Sequence, residues 1–236
     1  MIKAVIFDMD DTLFYPEIPF EKALKKFFPK YKDDISEIYQ SFRRISDKEI
    51  EGVLVGKYDM EAFHQLRIKK TIESFGCKEI SNKQAVDFQS CYSEAQKSIQ
   101  LLNGIKATFD YLKEKEIRLG LLTNGSTEHQ LKKVDYLKLG EYMEAADIVV
   151  SEETGFSKPD KEIFDLMREK LQLTAEELLY VGDNYENDIL GGAHSGWKTL
   201  WINHQKMKKD FLKDKQADYE IHSHKELLLL MKQLFH

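Results

Sequence analysis

The spacing of apolar residues divides the chain near residue 100. A continuous apolar run, Ala4-Val5-Ile6-Phe7, opens it and suits a strand at the centre of a parallel sheet, where helices cover both faces. From about residue 16 to residue 100 the spacing is helical. Phe20, Ala23, Leu24, Phe27 and Phe28 share one face, and Ile35, Ile38, Tyr39 and Phe42 share another. Phe63 and Leu66 lead to Ile68, Ile72 and Phe75, and Gly76 ends that stretch. Asn82 is read as the N-cap of a helix whose stripe is Ala85, Phe88, Tyr92, Ala95 and Ile99. No strand is expected in this region.

Beyond residue 100, helix and strand alternate. A helical face at Ile105, Phe109 and Leu112 precedes a strand over 117–123. A helix over 127–138, with Gly140 closing the turn after it, precedes a strand over 146–150, and a helix over 160–171 precedes a strand over 178–182. A helix over 185–195, a strand over 199–202, a weak edge strand over 217–221 and a final helix over 223–235 complete the chain. The run Leu227 to Met231 is read as the face by which that last helix packs on its own sheet. Repeated βα units with right-handed crossovers predict an α/β fold with a three-layer, doubly wound parallel sheet. The connection over 16–100 is too long for one crossover helix, so it is read as an inserted all-helical cap domain. The core domain is then 1–15 with 101–236.

Composition adds exclusions. The 236 residues are 42% hydrophobic and 32% charged, as in ordinary soluble proteins. Net charge is 35 − 41 = −6, which argues against a nucleic-acid polymer or an anionic membrane as partner. The cluster Lys206, Lys208, Lys209, Lys213 and Lys215 is diluted by Asp210 and Asp214 and reads as a solvated face. Arg43, Arg44, Lys57 and Arg67 read as solvated helix cations. Cys77 and Cys91 make neither a disulfide framework nor a zinc site. No apolar stretch approaches membrane-spanning length, and Met1 to Asp8 runs directly into a strand, so a cytoplasmic protein is expected; its oligomeric state is left open, a monomer being compatible with the sequence.

The predicted strands end in polar residues that packing does not explain. Asp8, Asp10 and Asp11 crowd three carboxylates after the first strand, where they repel one another unless a hard cation such as Mg2+ neutralises them. Thr123-Asn124-Gly125-Ser126 supplies a hydroxyl and a turn whose N–H groups suit phosphate oxygens at a helix start. Lys158-Pro159 places a cation before a helix, and Gly182-Asp183 through Asn187-Asp188 forms a second carboxylate pair. Each alone is an ordinary turn, loop lysine or helix cap. All four, in this order at strand ends, point to phosphoryl chemistry at the carboxyl edge of the sheet.

With these motifs the chain resembles a haloacid dehalogenase (HAD) superfamily hydrolase along its whole length, with a HAD-like Rossmannoid core and the helical insertion matching that superfamily's cap. Leu122 to Gly125 and Val181 to Gly192 further resemble the bacterial 5'-nucleotidase branch. The resemblance implies an Asp8 nucleophile that forms an aspartyl-phosphate and an Asp10 acid and base. Mg2+ would lie between Asp8, the Asp10 backbone carbonyl and Asp183, with Asp188 and Asn187 behind them. Thr123, Asn124 and Lys158 would hold the phosphate oxygens. True dehalogenases of the superfamily lack an acid at the position of Asp10, which favours hydrolysis of a phosphate monoester of a small metabolite, a nucleoside 5'-monophosphate among the candidates. A phosphomutase and a non-catalytic phospho-ligand-binding protein are the alternatives.

Overall fold

The structure, a computed structural model, describes residues 1–77, 79–204, 206–207 and 217–235. The lysines at 208, 209, 213 and 215 and the aspartates at 210 and 214 lie outside the described residues. The chain forms two compact units, Met1–Tyr15 with Gln100–His236, and Pro16–Ile99.

Among its described residues the first unit holds six strands: β1 (Ala4–Phe7), β2 (Arg118–Thr123), β3 (Ile148–Val150), β4 (Leu178–Gly182), β5 (Lys198–Ile202) and β6 (Tyr219–Ile221). They pair in parallel in the order β3-β2-β1-β4-β5-β6. The chain leaves β1 in one direction through β2 and β3, then returns to β4 on its other side. The carboxyl end of β1 is therefore the point where the strand order reverses, the position at which open α/β sheets bind ligands.

The helices α5 (Ile105–Glu114), α6 (Thr127–Tyr136), α7 (Ser151–Thr154), α8 (Lys161–Leu171), α9 (Gly191–His194) and α10 (Leu227–Leu234) belong to this unit. On one face of the sheet Ile163, Phe164 and Met167 of α8 pack against Ala4, Ile6, Leu122 and Tyr180. On the other, the Phe7 and Phe109 rings meet edge to face with centroids 5.0 Å apart. Leu227 and Met231 of α10 are buried while Leu229 is exposed, so that helix turns one apolar stripe inward, and it packs beside α5.

Local boundaries differ where turn chemistry overrides the pattern. The helix α6 ends at Tyr136, and the turn after it is made by Lys138 in the left-handed region, at φ 55, rather than by Gly140, which lies within the following 3-10 turn Leu139–Glu141. Residues 185–195 split into a π-helical turn, Tyr185–Leu190, and the short α9. The helix α7, a single turn after β3, was not anticipated.

The second unit is entirely helical among its described residues: α1 (Glu17–Phe27), α2 (Ile35–Leu54), α3 (Met60–Ser74) and α4 (Asn82–Gln96). Phe20, Leu24, Ile38, Phe42, Ile72 and Phe88 fill its core, with Phe20 lying 4.8 Å from Phe42 and 5.6 Å from Phe88 between ring centroids. Ser81, not Asn82, caps α4, because Ser81 and Gln84 form a reciprocal capping box. Arg67 also departs from expectation. Its guanidinium lies over the Phe42 and Phe63 rings at 4.6 and 5.1 Å and donates to Gln89 at 2.8 Å, and burial pulls its pKa down to about 10. No described helix is long and apolar enough to cross a membrane.

Candidate active site

Asp8 follows directly on β1, its N–H still bonded to the Val181 carbonyl at 2.9 Å, so the sheet delivers its side chain to the switch point. The chain then folds into a tight turn. Leu13 N–H reaches the Met9 carbonyl at 2.8 Å, Asp11 N–H reaches the Phe14 carbonyl at 2.9 Å, and Asp11 takes φ 62, a conformation that Asp tolerates better than most residues. His224 supports this turn from the chain's far end: its Nε2 lies 3.1 Å from the Asp11 carbonyl and its Nδ1 3.1 Å from the Tyr15 hydroxyl. A carbonyl only accepts, so Nε2 carries the hydrogen and Nδ1 accepts from Tyr15.

Lys158 is the buried hub. Its ammonium donates to Asp8 Oδ1 at 2.6 Å, Asp188 Oδ1 at 2.7 Å and the Tyr180 hydroxyl at 2.8 Å, which occupies all three of its hydrogens. The Tyr180 hydroxyl in turn donates to the Leu122 carbonyl at 2.8 Å. Burial opposes the charge on Lys158, but Asp188 and Asp8 outweigh it and hold the ammonium well above its ordinary pKa. Lys158 does not stand at a strand end: α7 and a loop separate it from β3. Asn124 brings it into place instead, accepting from Lys158 N–H and donating to the Lys158 carbonyl, both at 2.9 Å.

Asp8, Asp183 and Asp188 converge, with one carboxylate oxygen of each within 4.8 Å of the others. Burial drives Asp8 up to about 7 against the pull of Lys158. Burial, then repulsion from Asp8 and Asp188, drives Asp183 up to about 9. One ammonium does not offset three carboxylates, and an all-oxygen donor set of this kind fits a hard divalent cation. Asp188 is the most buried of the three and accepts from Asn184 N–H at 2.9 Å. A Cβ on Gly182 would sit 2.3 Å from Asp188 Oδ2, so only glycine lets that carboxylate pack against the end of β4.

The Asp10 carboxylate does not join this cluster. Lys133 Nζ donates to both of its oxygens, at 2.8 and 2.7 Å. Thr123 is buried and receives a hydrogen bond from Gln130 Nε2 at 2.7 Å. The turn after β2 is less open to phosphate than its sequence suggests: Gly125 N–H is bonded to Ser151 Oγ at 3.0 Å and Thr127 N–H to Glu152 Oε2 at 2.7 Å. Asn187 contributes a backbone N–H to Asn184 Oδ1 at 2.9 Å, which closes the turn carrying Asp188.

Residues 2–196 match the haloacid dehalogenase-like hydrolase family. The chain belongs to that family. It is 30% identical to a glyceraldehyde 3-phosphate phosphatase of Methanocaldococcus jannaschii across 99% of both chains. It is 35% identical to the pyrimidine 5'-nucleotidase YjjG of Escherichia coli over 45% of this chain and 43% of that protein. The magnesium-bound crystal structure of the HAD-hydrolase YfnB of Bacillus subtilis superposes with a TM-score of 0.70 at 25% identity over 98% of each chain.

Within this HAD-like hydrolase, the three residues that sequence reasoning missed are Tyr180, Gln130 and Lys133. Tyr180 had a signal, a hydroxyl in the otherwise apolar strand Leu178-Leu179-Tyr180-Val181-Gly182. Gln130 and Lys133 had none, because polar residues on a helix are ordinarily solvated; here they are 1% and 6% exposed while Leu131 between them is 40% exposed.

Proposed function

We propose that the protein is a phosphatase that hydrolyses phosphate monoesters of small metabolites through a phosphorylated Asp8, with Mg2+ as its cation. The observation that carries this reading is Lys158 held at once against Asp8 and Asp188 beneath the three converging carboxylates. A buried nucleophile, a fixed ammonium and a cation site in one place are what the transfer of an anionic phosphoryl group requires.

Asp8 attacks phosphorus with a carboxylate oxygen. The ester P–O bond breaks, and Asp10 supplies a proton to the departing alkoxide. Asp10 then takes a proton from water, which attacks phosphorus, and the bond between phosphorus and Asp8 breaks to release phosphate. Lys133 holds the Asp10 carboxylate in place through both of its oxygens. Thr123 holds a phosphoryl oxygen by hydrogen bond, and the Lys158 ammonium, bonded to Asp8, offsets the negative charge as it moves from the nucleophile to the leaving group. Asp8, Asp183 and the Asp10 carbonyl would hold Mg2+, which when bound screens the attacking carboxylate from the phosphoryl charge. The names of the relatives favour a sugar phosphate or a nucleoside monophosphate as substrate.

The test is release of inorganic phosphate from a panel of triose, pentose and hexose phosphates and nucleoside 5'-monophosphates, with Mg2+ and with EDTA. At least one ester is expected to turn over with Mg2+ only, and Asp8→Asn is expected to abolish turnover while the fold persists. Isomerised phosphate ester in place of free phosphate would identify a mutase, and turnover surviving Asp8→Asn would remove Asp8 as nucleophile.

A further inference from the structure

The side of α6 that meets the site carries two buried polar residues, Gln130 and Lys133, which lie three apart and so share a helix face. The orientation of the Gln130 amide follows from its partners. Its nitrogen is 2.7 Å from the Asn124 carbonyl and 3.4 Å from Asp10 Oδ2, and both of these only accept, so the NH2 group faces them. The same NH2 group is 2.7 Å from Thr123 Oγ1. Its two hydrogens go to the two close oxygens, Asn124 O and Thr123 Oγ1. The Thr123 hydroxyl is thereby an acceptor toward Gln130, and its own proton is left to point elsewhere.

Burying the Gln130 amide carries a cost to folding. Its Oε1 is buried without a hydrogen-bond partner, a penalty that an apolar side chain of the same length would avoid. Lys133 presents the same pattern: its ammonium is buried against the Phe14 ring, 5.7 Å from the centroid, and bonded to both oxygens of Asp10. Apolar replacements of buried ion pairs are often neutral or stabilising, so stability alone does not call for this one.

We propose that Gln130 and Lys133 are the positioning residues of the reaction centre: Gln130 turns the Thr123 hydroxyl proton toward the transferring phosphoryl group, and Lys133 fixes the Asp10 carboxylate for proton transfer. The proposal rests on the phosphatase reading above. It adds that one face of α6 sets both the phosphate-binding donor and the acid.

Two double-mutant cycles on the full chain test it. In the first, orthophosphate binding is measured by calorimetry. Gln130→Met is expected to weaken it about tenfold, the scale of one hydrogen bond to a charged group, and to leave it unchanged in a Thr123→Val background. Equal weakening in both backgrounds would show that Gln130 acts through packing alone and would overturn its role. Should Gln130→Met fail to fold, Gln130→Asn withdraws the amide by one methylene and serves the same cycle. In the second, Lys133→Met is expected to lower kcat on a phosphate ester with little change in KM, and to have no further effect in an Asp10→Asn background. Lys133→Arg is expected to restore most of the lost rate. An undiminished effect beside Asp10→Asn, or no recovery with arginine, would overturn the role of Lys133. The calorimetric cycle needs no turnover, so a wild-type protein that binds orthophosphate but hydrolyses no ester would refute the phosphatase reading without deciding Gln130.

Discussion

Asp10 illustrates how much a single side chain depends on its neighbours. Three carboxylates follow β1 within four positions, yet they have different partners: Asp8 meets Lys158, Asp10 meets Lys133, and Asp11 offers its carbonyl to His224. A proton donor matters in proportion to the basicity of the leaving oxygen. Asp10→Asn is therefore expected to slow phosphoryl transfer from an alkyl phosphate by about 100-fold or more, and to slow transfer from p-nitrophenyl phosphate far less. Rapid-quench measurement of the first half-reaction checks this, and equal losses on the two esters would remove Asp10 from the acid role. The hydrolytic half-reaction needs Asp10 as base with either ester, so steady-state rates alone do not discriminate.

At the scale of elements, the site depends on how closely secondary structures approach. The end of β4 and the π-helical turn after it meet at Gly182, where the backbone leaves room for Asp188 and nothing else. Gly182→Ala is expected to displace the Asp188 carboxylate, which withdraws one of the three partners of Lys158. The expected outcome is a folded protein destabilised by about 1–3 kcal/mol, as for overpacking elsewhere, with kcat reduced more than this stability loss explains. Thermal denaturation alongside kinetics checks both, and full activity with an intact Tm would show that Asp188 is dispensable. The boundaries of elements follow the same local rule: the reciprocal bonds of Ser81 and Gln84 start α4, and Lys138 in the left-handed region ends the turn after α6.

At the scale of the whole molecule, the acidic cluster couples stability to pH and to cations. Without a cation, Asp8 titrates near 7 and Asp183 near 9, whereas an unfolded aspartate titrates near about 3.9. Both folded values are raised, so the folded chain binds more protons than the unfolded chain, and this stability, full below about pH 4, is lost as pH rises through 7 and 9. In EDTA the Tm is expected to fall between pH 6 and pH 9, Mg2+ is expected to raise it more at pH 9, and Asp183→Asn is expected to flatten the dependence. A Tm in EDTA that climbs over this range would contradict the assignment. The sequence by itself determined the alternation of strands and helices, the long helical insertion and the order of the polar motifs, because each follows from local periodicity or from residue type at a predicted strand end. Only the tertiary structure decided that Asn124 carries Lys158 across from beyond α7, that Tyr180, Gln130 and Lys133 belong to the site, and that Arg67 lies half-buried over aromatic rings. These are contacts between residues distant in the chain, and burial of a polar side chain depends on what packs over it rather than on its neighbours in sequence.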